Sequence, residues 1–178
     1  MSTRAPRWLS AEEHRTWRAF VCAFREFFAA VDAQLQRDSG MPLAYYEILV
    51  RLSEAPGRSL RMTQLAEAAG ASKSRASHAV AKLEERGWIR REDCPTDRRG
   101  QIAVLTDEGF AALDAAAPGH VEQVRQTLFD ALTSEQVAQL RDISAAIEAA
   151  TRRSAARAAG QGPCGSEPDP CSDASEPA

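Results

Sequence analysis

The sequence predicts a mainly α protein carrying one small β hairpin, an α+β fold. Three observations predict it. Long stretches space their apolar residues three and four apart, glycine and proline interrupt those stretches at helix-length intervals, and one segment alternates around a charged turn.

The first helix starts at a capping box, Ser10 with Glu13. Its stripe runs Trp17, Phe20, Val21, Phe24, Phe27, Phe28, Val31 and Leu35 until Gly40-Met41-Pro42 ends it. A second helix turns Tyr45, Ile48, Leu49 and Leu52 inward and closes at Ala55-Pro56-Gly57. The short stretch 58–61 is extended, a candidate strand beside the hairpin.

Helix three spans about 62–69, with Met62, Leu65, Ala66 and Ala69 inward. Gly70 follows where a left-handed helix end is wanted. Ser72 caps helix four, which runs to about Arg86 on Ala76, Val80 and Leu83 and stops at Gly87. Strands at 88–91 and 101–105 flank a turn-rich tip, 95–100. Thr106 caps a further helix, with Asp107 and Glu108 at the positive end of its dipole. Pro118-Gly119 should kink or break that helix, which resumes on Val121, Val124, Leu128 and Leu132. Thr133 and Gln136 box the start of a last helix built on Val137, Leu140, Ile143 and Ile147. Residues 155–178 lack bulky apolar anchors and read as a disordered acidic Gly/Pro/Ser tail.

Composition narrows the function classes. The 178 residues are 44% apolar, enough for one core over 1–154. No apolar run reaches the ~18–20 residues of a membrane span, and the N-terminus has no hydrophobic signal region, so a cytoplasmic protein is expected. The net charge of −3 hides an asymmetry: residues 58–99 hold ten basic and six acidic side chains. The four cysteines and three histidines show no zinc spacing, and no Gly-rich phosphate loop or catalytic constellation occurs. Neither metal, nor cofactor, nor enzyme activity is expected.

Two short helices around a tight turn, followed by a basic hairpin, make a winged helix-turn-helix. Such a unit binds double-stranded DNA. Helix four presents Ser74, Arg75, Ser77 and His78 opposite its apolar face, and its N-terminal residues would meet base edges in the major groove. Arg75 is the strongest reader, since a guanidinium pairs with guanine O6 and N7. Ser72, Lys73 and Lys82 are placed to hold phosphates, as are Arg90 and Arg91 on the first strand. At the hairpin tip Arg99 suits the narrow minor groove, beside Arg98, while Asp97 is expected to fix the loop through an Arg.

At these residues the chain resembles the MarR (multiple antibiotic resistance regulator) family of transcriptional regulators. The matching segments are LAEAAGASKSRASHAVAKLEERGWIRRE and CPTDRRGQIAVLTDEG, with PLAYYEILVRL resembling the family's second helix. The likeness covers about residues 10–150. It implies a homodimer: about 10–54 and 107–152 supply dimerisation helices, and 58–106 the winged helix-turn-helix. It implies a repressor on a pseudo-palindromic operator, released by a small aromatic effector held between the two parts, near Trp17, Phe20, Tyr45 and Tyr46. The alternative within the family is a thiol-based redox sensor. Cys22 lies about two residues beyond the reactive position and is expected to be a buried, inert thiol; Cys94 is expected to be exposed on the wing. A different class, a winged-helix module that binds proteins, is opposed by Arg75, Arg99 and the basic excess. Binding to duplex DNA that falls steeply with salt would separate the two.

Overall fold

A computed structural model describes residues 6–94 and 97–158. The tip residues Pro95 and Thr96 and the expected tail from 159 onward, with Cys164 and Cys171, lie outside the described residues. So do the side chains of Arg98 and Arg99, whose backbone is in a strand.

Helix α1 spans Ala11–Ser39, started by the Ser10–Glu13 capping box and ended by Gly40 at φ 61°. Helix α2, Leu43–Glu54, is tied to it where Leu43 N donates to Asp32 Oδ1 at 2.8 Å. A tight turn at Pro56–Arg58 leads into strand β1, Ser59–Arg61. Arg58 is the one non-glycine residue with positive φ, 53°, among the described residues. Its guanidinium is anchored over the Phe110 ring, 3.9 Å from the centroid, and 3.2 Å from Asp107 Oδ1. Helices α3, Met62–Ala68, and α4, Lys73–Glu85, follow, with Gly70 at φ 59° and Gly87 at φ 74° completing the turns foreseen.

Strand β2, Ile89–Cys94, and strand β3, Asp97–Leu105, form the hairpin. The sheet is antiparallel in the order β1-β3-β2, so the short extended stretch does join the wing. The strands reach further than expected: Asp93 pairs Gln101 and Cys94 pairs Asp97, with a bulge between them absorbing the change of register.

Helix α5, Asp107–Val124, contains Pro118 without a break, contrary to the sequence expectation, and runs into one π turn over Arg125–Phe129. A proline removes one ladder bond, but packing holds this segment. Leu113 and Ala116 are buried, and Gly119 lets α5 approach α1 so closely that a β-carbon there would sit 2.8 Å from Gln34 Nε2.

The core gathers the end of α1, the inner faces of α2, α3 and α4, the sheet, and the first half of α5. Leu35, Leu49, Leu52, Leu65, Val80, Leu83 and Ala103 are fully enclosed. On α2 it is Tyr46 that turns inward rather than Tyr45. The first five turns of α1 contribute nothing buried; Trp17, Phe20 and Phe24 are 55%, 46% and 53% exposed.

A second compact unit begins at Leu132. It holds α6, Ser134–Ala158, started by reciprocal Thr133–Gln136 hydrogen bonds of 2.9 and 3.3 Å. The helix continues through 155–158, which the sequence reading had put in the tail. Ala155, Ala156 and Ala158 are good helix formers even where no core position is offered. No helix among the described residues is long and apolar enough to cross a membrane.

Candidate nucleic-acid interface

Helix α4 is amphipathic in the sense its role requires. Ala76, Ala79, Val80 and Leu83 are buried, and Ser74, Arg75, Ser77 and His78 are exposed on the other side. The Ser72 hydroxyl accepts from Arg75 N at 3.3 Å and so caps the helix, which leaves its own O–H free to donate. Lys73 has no ion-pair partner among the described residues.

Three of the other expected phosphate contacts are already engaged by acids of the same chain. Lys82 Nζ donates to both Glu85 oxygens, at 3.0 and 2.8 Å. Arg90 Nε lies 2.6 Å from Glu92 Oε1. Arg91 Nε is 3.2 Å from Glu84 Oε2 while Arg91 N donates to Glu84 Oε1 at 3.1 Å. The Arg91–Glu84 side-chain contact is close enough for an ion pair but poorly aligned for a hydrogen bond. Lys82 and Glu85 stand three apart on α4, and Arg90 and Glu92 two apart on β2, whereas Arg91 and Glu84 sit on different elements, so sequence spacing did not show that last pair.

The wing base is rigidly tied to the helices. Thr106 Oγ1 donates to Gly87 O at 2.7 Å and accepts from Gly109 N at 3.0 Å, while Thr106 N donates to Trp88 O at 3.1 Å. The Arg86 guanidinium donates to Gly40 O at 3.2 Å and lies 5.0 Å from the Trp88 ring centroid, linking the end of α4 to the α1–α2 junction. At the far end of the wing, Gly100 packs tightly: a β-carbon there would be 3.1 Å from Cys94 Cβ and 3.2 Å from Asp97 Oδ2. Cys94 is thus buried, not exposed as expected, because the bulge turns it inward. Cys22 shows the reverse. It is exposed, on a stretch of α1 where Trp17, Phe20 and Phe24 are exposed too.

Of the four expected effector residues, Tyr46 alone lines a cavity between α1, α2 and α5, of about 260 Å³. Phe27, Phe28, Val50, Arg51 and His120 complete much of its wall. Tyr45 instead lies beneath Arg86, 5.8 Å from the guanidinium, and Trp17 and Phe20 stand exposed on α1 with ring centroids 6.3 Å apart. The Tyr46 and His120 rings are 4.4 Å apart. Burial pushes the Tyr46 hydroxyl above its ordinary range and the His120 imidazole below its own; His120 Nδ1 is buried without a hydrogen-bond partner. His120 was visible in the sequence as a lone histidine after Pro118-Gly119. Its partner, 74 positions away, was not.

Comparisons with known proteins agree with this geometry. A family model described as MarR family matches residues 39–100. Sco3205, a MarR family transcriptional regulator from Streptomyces coelicolor solved in complex with DNA, is 53% identical. The match covers 82% of this chain and 91% of that one, with a TM-score of 0.78. AbsC, a MarR family transcriptional regulator from the same organism, is 38% identical over 83% of this chain and 99% of that one, with a TM-score of 0.77. The transcriptional repressor MprA of Escherichia coli K12 is 28% identical over 111 residues, and the match spans 62% of each chain.

Proposed function

This chain belongs to the MarR family of transcriptional regulators, and we propose that it acts as a homodimeric repressor, released from a pseudo-palindromic operator by a small aromatic ligand. It is a DNA-binding regulator and not an enzyme. One observation carries the mode of binding: the polar face of α4, with Arg75 exposed, stands beside a two-stranded hairpin and opposite a fully packed core face. Helix α4 enters the major groove and the hairpin reaches the neighbouring minor groove. Repressor action is supported by the name that MprA carries.

The homodimer is supported by the aromatic ladder of α1. Trp17, Phe20 and Phe24 stand exposed, and with the half-buried Phe28 their rings follow one another along α1 at 6.3, 5.9 and 4.5 Å. At roughly 200 Å² per aromatic side chain, the first three expose about 300 Å² per protomer. Covering that area is worth on the order of 7 kcal/mol per protomer before association costs. The effector reading is supported by the Tyr46–His120 cavity, which has aromatic walls and an unpartnered polar atom. A thiol-based release has one observation in its favour, the exposure of Cys22.

The test is selection of genomic fragments by the purified protein, starting upstream of its own gene. Enrichment of an inverted repeat with half-sites about 34–36 Å apart is expected. No enrichment at low salt would reject the reading. Release of the selected duplex by aromatic compounds, set against release by peroxide that Cys22→Ser abolishes, separates the two effector mechanisms.

A further inference from the structure

A second cavity, of about 310 Å³, opens where the helix-turn-helix meets the wing. Three elements build its working wall: Thr63 from the first turn of α3, Lys73 and Ser77 from the first turns of α4, and Gln101 from β3. Arg61 adds a second cation and Asp97 one acid, so the described lining residues carry one excess positive charge. Met62 is the only bulky apolar residue among the described lining residues; the polar heads of Thr63, Lys73, Ser77 and Gln101 share the wall with the apolar stems of the longer side chains.

Its position dictates what passes over it. With α4 in one groove and the hairpin in the next, the DNA strand that divides the two grooves must cross the gap between them. That strand presents its sugar-phosphate edge, not its bases, to the gap. Lys73 and Ser77 are four residues apart and share a face of α4. That face turns toward β3, away from the positions of Ser74 and His78 that address the base edges. Asp97 Oδ2 lies against Gly100, 3.2 Å from where a β-carbon would sit.

We propose that this cavity seats a single backbone phosphodiester: Lys73 supplies the charge, and Thr63, Ser77 and Gln101 supply neutral donors. This rests on the groove assignment made above. Neither Thr63 nor Gln101 stands out in the sequence, because each is an ordinary polar residue until the fold brings it opposite Lys73. The seat contributes affinity and register but no base preference, and it fixes the distance between the recognition helix and the wing on DNA.

The experiment is a methylphosphonate scan of the selected duplex, neutralising one phosphate at a time, with wild-type protein and with Lys73→Met. One phosphate per half-site should weaken wild-type binding about tenfold and leave Lys73→Met unaffected, as expected for a charge-assisted contact. Lys73→Met itself should bind about tenfold more weakly to every sequence, with the salt slope reduced by about 0.9. Thr63→Val should weaken binding about threefold with the slope unchanged. If every phosphate remains as costly to Lys73→Met as to wild type, or if Lys73→Met alters base preference, the seat is refuted while DNA binding stands. If no duplex is bound at low salt, the groove assignment itself fails, and the seat falls with it.

Discussion

The joint at Gly109 offers the sharpest test of how the recognition unit is attached. Gly109 is buried in the first turn of α5, and a β-carbon built on it would lie 2.1 Å from Trp88 O, 2.8 Å from Trp88 C and 2.9 Å from Leu105 Cδ1. Two of these are backbone atoms and cannot rotate away. Relieving the contact moves the start of α5 by about 1 Å from the β2 entrance, more than a close-packed interior yields without strain. The same movement loosens the bonds from Gly109 N to Thr106 Oγ1 and from Thr106 N to Trp88 O.

Overpacking of this kind costs about 1–3 kcal/mol, and two weakened hydrogen bonds add about 1–2 kcal/mol. Gly109→Ala should therefore destabilise by about 3 kcal/mol. For a chain of this length that lowers Tm by roughly 6–12 °C, read at fixed protomer concentration because dimerisation shifts the midpoint. Thr106→Val, which deletes the cap and the bond to Gly87 O without adding volume there, should cost about 1–2 kcal/mol. Thermal and urea unfolding of both variants checks the pair. A Gly109→Ala protein within about 0.5 kcal/mol of wild type would refute the close approach of α5 to β2.

Four further outcomes are expected. Trp17→Glu combined with Phe24→Glu should give a monomer at micromolar concentration by light scattering, with operator affinity lost; an intact dimer would show that the α1 ladder is not the interface. Arg75→Ala should relax base preference, each lost guanine contact being worth about 1–3 kcal/mol, whereas Arg90→Ala, already paired with Glu92, should lower the salt slope by less than about 0.9; equal slopes for Arg90→Ala and Lys73→Met would show that the pair opens on DNA. Burial holds His120 below its ordinary 6.5, so as pH falls through that value the unfolded chain takes up the proton first. Stability should decline below about pH 6.5 and be insensitive to this group above it, and His120→Phe should flatten that part of the pH–stability curve. Finally, alkylation of the native protein should leave Cys94, 4% exposed, unlabelled in peptide mass spectra until denaturant is added.

What the sequence by itself determined is local. The Ser10–Glu13 and Thr133–Gln136 boxes, the left-handed Gly40, Gly70 and Gly87, and the amphipathic face of α4 follow from residues within four positions of one another. Backbone sterics and helical periodicity act over that range. The family likeness was legible for the same reason, since its motif is a continuous run from α3 to the start of α5. What only the tertiary structure decided depends on residues far apart in the chain. Pro118 stays inside α5 where that helix packs against α1, a β-carbon on Gly119 being 2.8 Å from Gln34 Nε2. Arg91 is engaged because Glu84 lies on the facing helix. Cys94 is buried through a bulge, and Cys22 is exposed on a stretch of α1 where Trp17, Phe20 and Phe24 are exposed too. Tyr46, not Tyr45, reaches the cavity because the second half of α1 and the last turns of α5 close over it. Burial and electrostatic pairing depend on separation in space, and a chain folded through tight turns makes that separation independent of distance along the sequence.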